Sequence, residues 1–209
     1  MNNELPAPAP ATPAFDRSTE DVGNIVELGH LNVRVPDQQR AIVFYVMGLG
    51  LARDPYLQVG IDNAWVNVGT SQFHLPVGPA QVLCGVTGLV MPDLDALAAR
   101  LAGVAPLLRE SQFSFQRADA HVDVTCPWGN RVRVHAPDPA HFKRMTLGMP
   151  YIEVDCAAGS AVRIARFYAE ILGARTRVGE DAGAAFAHIT AGPCESLVFR
   201  GFHTLPVEF

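Results

Sequence analysis

The sequence has no Cys-x-x-C pair, no block of lysine or arginine, and no apolar run near the roughly 18 residues that a membrane-spanning helix needs. Each absence removes a class of function. Cys84, Cys126, Cys156 and Cys194 are scattered, which fits reduced, packed thiols better than a disulfide framework or a zinc knuckle. With 16 basic and 21 acidic residues the formal net charge is −5. No bulk electrostatic attraction to nucleic acid or to a membrane surface is therefore expected. There is also no phosphate-binding loop, no G-x-G-x-x-G, no G-x-S-x-G and no H-E-x-x-H. The first 22 residues carry Pro6, Pro8, Pro10 and Pro13 and no continuous apolar segment. They read as a disordered arm rather than a secretory signal, and the expected location is the cytoplasm.

What is present is apolar and periodic. The 209 residues are 49% hydrophobic and 18% charged, enough to bury a substantial core. Self-similarity is the strongest signal. His30 to Pro36 followed by Ala41 to Gly50, and Tyr151 to Cys156 followed by Ile164 to Gly173, share one pattern: a period-2 run, a helical run, then F-Y-x-x-x-L-G. The glycine sits where a helix closes most cheaply in the left-handed conformation. A weaker copy, Val86 to Met91, passes through Asp93 as a helix N-cap into Leu94 to Leu101. Short strand-like runs follow each helix: 64–68 and 72–75, then 121–125 and 131–135, then 184–190 and 196–199, with Pro127-Trp-Gly-Asn130 reading as a hairpin turn. The expectation is an α+β chain of three βαβββ modules: A at 25–77, B at 82–137 and C at 148–202.

The motifs G-H-L-N-V-R-V-P-D, F-Y-x-x-x-L-G, Q-F-H-L and C-P-W-G-N-R-V-R-V-H-A-P resemble the glyoxalase/bleomycin-resistance/dioxygenase family, the vicinal-oxygen-chelate (VOC) superfamily. The resemblance spans about residues 25–202. It implies that two modules pair into an eight-stranded cup, with one divalent metal held by the first and fourth strands of both. Modules A and B are expected to form that pair, making 25–137 one domain. Module C is then left without a partner, either because the chain is part of a four-module protein or because C pairs with C of a second copy in a homodimer.

Strand alternation selects the candidate site. If Leu31, Val33 and Val35 pack beneath the helices, then His30, Asn32 and Arg34 face the cup, and the same split in the fourth strand aims Gln72 and His74 inward. Neutral imidazoles from neighbouring strands suit iron, manganese, zinc or nickel, so His30 and His74 are the expected metal ligands. Val86, Tyr151 and Val198 stand at places where the resemblance implies ligands, and Arg133 stands where it implies a glutamate. Arg34, Arg133 and His135, with Asn32 and Trp65, are the expected contacts to a small oxygenated or aromatic anion. Two functions follow: a metal-dependent lyase, isomerase or oxygenase, or a metal-free protein that sequesters its ligand.

Overall fold

The computed structural model describes residues 25, 27–57, 62–181 and 183–202. The proposed arm at 1–22 lies outside them. Each module has the predicted order. In A, β1 (His30–Asn32) leads to α1 (Gln38–Ile42), β2 (Ala52–Arg53), β3 (Asn63–Val68) and β4 (Ser71–Pro76). In B, β5 (Gly85–Val90) leads to α2 (Leu94–Val104), β6 (Ser114–Arg117), β7 (His121–Thr125) and β8 (Arg131–His135). A short α3 (Pro139–Phe142) joins B to C, where β9 (Gly148–Ala157) leads to α4 (Ser160–Leu172), β10 (Thr176–Asp181), β11 (Ala184–Thr190) and β12 (Ser196–Phe202).

Local chemistry sets these boundaries. The carboxylates of Asp37 and Asp93 accept from Arg40 N and from Asp95 N and Ala96 N, satisfying amides that the first helical turn leaves open. After Ile42 the first helix widens into a π turn, Val43–Gly48, closed by Leu49 N donating to Phe44 O at 2.9 Å. This turn packs against α2, whose Leu94, Leu97, Leu101 and Val104 form one buried stripe. Gly48 allows the contact, because a Cβ there would stand 3.1 Å from Val104 Cγ2.

The sheets depart from the expected pairing. Module A forms a separate four-stranded sheet, β1-β4-β3-β2, while B and C share an eight-stranded sheet, β10-β11-β12-β9-β5-β8-β7-β6. The seam is the antiparallel pair β5–β9, with Val86 opposite Glu153 and Gly88 opposite Tyr151. Modules A and B therefore meet through helices and not through a common sheet, so 25–137 is not a paired cup and C is not the module left without a partner. Two glycines permit this seam. At Gly85 (φ +154°) a Cβ would lie 1.9 Å from the Glu153 carbonyl oxygen, and at Gly88 it would lie 2.3 Å from the Tyr151 ring. The larger core cluster joins A and B and reaches Met149 and Ile152 of C, whereas a small cluster of Ala161, Ala165, Ala187 and Ile189 lies under α4. The four cysteines are unpaired, with Cys126 buried. No helix among the described residues is long and apolar enough to cross a membrane.

Candidate functional site

The candidate residues divide between the two sheets. On the four-stranded sheet, Val33, Phe73, Leu75, Ala64, Val66 and Val68 face the core, which turns the alternate residues of the same strands the other way. Strands β1 and β4 run parallel, with His30 opposite Gln72 and Asn32 opposite His74. The His30 and His74 rings stand 6.2 Å apart, centre to centre. Trp65, opposite His74 on β3, stacks on it at 4.0 Å and 10°, and the His30 ring meets the indole at 5.1 Å and 65°. A ring nitrogen of His74, Nε2, lies 2.5 Å from Asn63 Oδ1. Burial, and then the charge of neighbouring His30, hold the His74 pKa below the ordinary imidazole value.

Gln72 is fixed rather than free, because its amide donates to Asn67 Oδ1 at 2.6 Å and to Asp54 Oδ2 at 2.9 Å. Asp54 in turn accepts from the backbone amides of Leu57 and Tyr56, which keep its carboxyl below the usual range. The Asp54–Gln72–Asn67 chain is absent from the sequence reading. Asp54 lies outside the alternating strand runs that selected candidates. Arg34 is exposed at the end of β1, its backbone exchanging hydrogen bonds with Gln81 and its side chain beside Gly78.

Arg133 and His135 belong to the other sheet. Arg133 is locked to Asp123 on the adjacent strand, Nε to Oδ1 at 2.7 Å and Nη2 to Oδ2 at 3.2 Å. This bond raises the guanidinium pKa. Burial works to raise the Asp123 pKa, but Arg133 and His121 bring it down. Arg133 therefore enters the cup already paired. His135 Nε2 lies 2.9 Å from the Tyr151 hydroxyl, and the Phe142 ring covers the imidazole at 4.9 Å. Arg200 pairs with Glu153, and Arg131 with Asp155, both at 3.3 Å. Over β6–β8 lies a hollow of about 410 Å³ bordered by Val86, Gln116, Asp123, Arg131 and Arg133. The ligand places that the resemblance implies in this cup are taken by Val86, Arg133, Tyr151 and Val198, none of them a histidine or a carboxylate. A one-cup site uniting His30, His74, Arg133 and His135 is thus not what the fold builds, because A and B do not share a sheet.

Burial, and then the Arg133 charge, lower the His135 pKa to about 4. An unfolded histidine titrates near about 6.5, so the folded state resists a proton that the unfolded chain accepts. The contribution is complete above pH about 6.5 and is lost as pH falls towards about 4. The thermal midpoint should fall across that window, and His135→Gln should flatten the fall. An unchanged slope in the variant would assign the titration elsewhere.

Could this chain hold a metal? His30 and His74 supply two imidazoles on one face, and the donor chemistry suits a divalent ion. Among the described residues no group of three or more His, Cys, Asp or Glu side chains is arranged to hold one. The pair amounts to half a centre, since metal sites of this kind take at least three protein ligands.

No family model matches the chain, and no curated protein matches it. Solved structures do. A proposed dioxygenase from Bacillus subtilis superposes with a TM-score of 0.58 at 15% identity, covering 88% of this chain and 66% of that one. Glyoxalase I from Zea mays gives 0.58 at 17% identity, covering 87% and 68%, and its V278E mutant gives 0.60 at 15%, covering 83% and 67%. The chain spans about two thirds of the length of these proteins. It has the α+β fold of the vicinal-oxygen-chelate superfamily.

Proposed function

We propose that this chain, folded as a vicinal-oxygen-chelate protein, belongs to a metal-dependent enzyme that acts on a small oxygenated molecule at the open face of the four-stranded sheet. One observation carries the reading: His30 and His74 come from adjacent parallel strands, share a face, and lie 6.2 Å apart by ring centres. The metal would be Fe, Mn, Zn or Ni, and when bound it would supply a Lewis acid for a substrate oxygen. The protein's own contributions are orientation and shielding. Asn63 fixes the His74 ring, Trp65 shields one side of it from water, and the depressed pKa keeps His74 neutral, the form that binds an ion. Asn32 and Arg34, exposed on the same face, are placed to donate hydrogen bonds to an anionic substrate. The names of the structural neighbours, glyoxalase and dioxygenase, are of this chemical class.

A second reading is a metal-free protein that binds a small ligand in the cup of the eight-stranded sheet. It is favoured by the 410 Å³ hollow bordered by Arg131 and Arg133. The two readings separate in equilibrium dialysis against Zn²⁺ or Ni²⁺ followed by plasma mass spectrometry. His30→Ala or His74→Ala should lose nearly all bound ion, while Arg133→Gln should keep it. Occupancy should hold down to pH about 6.5 and decline below it as imidazole protons compete. Full retention by both histidine variants would leave the ligand-binding cup as the account.

A further inference from the structure

We propose that this chain has a second small-molecule site, a hollow where module A meets module C, which takes a small organic cation with a primary ammonium group and a short alkyl body. Its walls share no residue with the His30–His74 face or with the hollow over β6–β8. The site therefore stands independently of the function proposed above.

Two close backbone approaches build it. At the β3–β4 turn a Cβ on Gly69 would lie 2.2 Å from the Leu147 carbonyl oxygen, so this turn of module A rests directly on the segment that enters β9. Past β11, a Cβ on Gly192 would lie 2.2 Å from Glu195 Oε2 and 3.1 Å from Glu27 Cα, which sets the loop before β12 against the chain that enters β1. Between these contacts remains a hollow of about 330 Å³, near the lower end of the range for small-ligand sites.

Glu195 gives the hollow its chemistry. The residue lines it yet is only 7% exposed, and its Oε2 accepts from Cys194 N at 3.0 Å. Among the described residues every fully enclosed side-chain nitrogen or oxygen has a hydrogen-bond partner. Glu195 Oε1 has none there, so it opens into the hollow. A carboxylate taken this far out of water with one oxygen unsatisfied is unfavourable, and a cation beside it offsets that cost. The chain supplies no such cation among the described residues. Neither Glu195 nor Glu27 forms an ion pair, Arg144 on the same wall forms none, and the adjacent Lys143 donates its Nζ to Pro193 O. Two carboxylates and one guanidinium leave the walls one negative charge in excess, which a monocation balances. An ammonium group has three donors and no acceptor. Glu195 Oε1, the Glu27 carboxylate and the Thr70 hydroxyl are its acceptors, while Met145 and Pro193 face an alkyl body. A metal ion fits less well, because no three His, Cys, Asp or Glu side chains converge among the described residues.

Saturation-transfer NMR titrations of the full 209-residue chain with butylammonium chloride, and with sodium butyrate as the opposite charge on a similar alkyl body, test this. Butylammonium should bind saturably and butyrate should not. Glu195→Gln keeps an acceptor for Cys194 N but removes the charge, and should weaken binding about tenfold or more, because charge-assisted hydrogen bonds are about twice as strong as neutral ones. Glu27→Gln, at an exposed side chain, should weaken it about two- to fivefold, and Arg144→Gln, which removes a like charge, should strengthen it by a similar factor. Asp119→Asn, at an exposed carboxylate outside the hollow, should leave it unchanged. If circular dichroism shows that Glu195→Gln does not fold, the opposite effects of the Glu27 and Arg144 variants carry the test. Absence of butylammonium binding overturns the proposal, as do equal binding of butyrate and equal losses in the Glu27, Glu195 and Asp119 variants. Binding by Arg144→Gln alone overturns it too, since Arg144 then fills the hollow itself in the parent chain.

Discussion

Gly85→Ala should destabilise the protein by about 3–5 kcal/mol, because overpacking against backbone and a strained φ each cost about 1–3 kcal/mol. The new methyl carbon would lie 1.9 Å from the Glu153 carbonyl oxygen and 2.8 Å from its carbon. These are main-chain atoms of the neighbouring strand, which cannot rotate aside as a flexible side chain would. The backbone at Gly85 is also held at φ +154°, where an L side chain is disfavoured. Relief requires β5 and β9 to separate, and those strands join modules B and C. Gly159→Ala is the control. Its φ is also positive, +75°, but nothing lies within 4 Å of the added carbon, so about 1 kcal/mol is expected from conformation alone. Urea unfolding followed by fluorescence measures both. Equal losses in the two variants would mean that the seam yields, and that steric contact across it does not govern stability.

Phe44→Ala should remove about 3–5 kcal/mol, the range for truncating a buried aromatic to alanine. Phe44 is fully buried in the π turn, edge-on to Tyr45 at 4.9 Å and to Phe113 of module B at 6.1 Å. Tyr45 is itself held between Phe44 and Phe73, so it is not free to move into the vacated volume. The loss falls on the A–B joint, so the A sheet and its His30–His74 face should become more susceptible to proteolysis before the B–C sheet does. Phe44→Leu, which keeps most of the volume, should cost roughly 1–1.5 kcal/mol. A loss below about 1 kcal/mol for the alanine variant would show that this helix does not anchor the joint.

Part of this architecture was legible from residue order. Alternation in Gln72 to Leu75 correctly divided the core residues Phe73 and Leu75 from Gln72 and His74. Asp93 is an N-cap, and Gly50 and Gly173 close their helices at positive φ. The helical run of module A was legible along its length, although nothing in its apolar spacing announces that it widens into a π turn after Ile42. Arg133 read as a free anion contact, although Asp123 was in view ten residues earlier. Their pairing depends on the β7–β8 register, which places Asp123 opposite Arg133.

The sequence by itself therefore determined the modules, the faces of their strands and the placing of His30 and His74 on one face, because each depends on spacing within a few residues along one chain segment. Only the tertiary structure decided which modules share a sheet. All three modules offer a similar first strand and a similar helix, so their likeness does not rank the possible partners. The choice falls to long-range contacts that periodicity does not encode. Gly85 and Gly88 leave room for Glu153 and Tyr151 at one strand edge, Gly48 lets the helices of A and B approach, and β1 pairs only with β4 among the described residues.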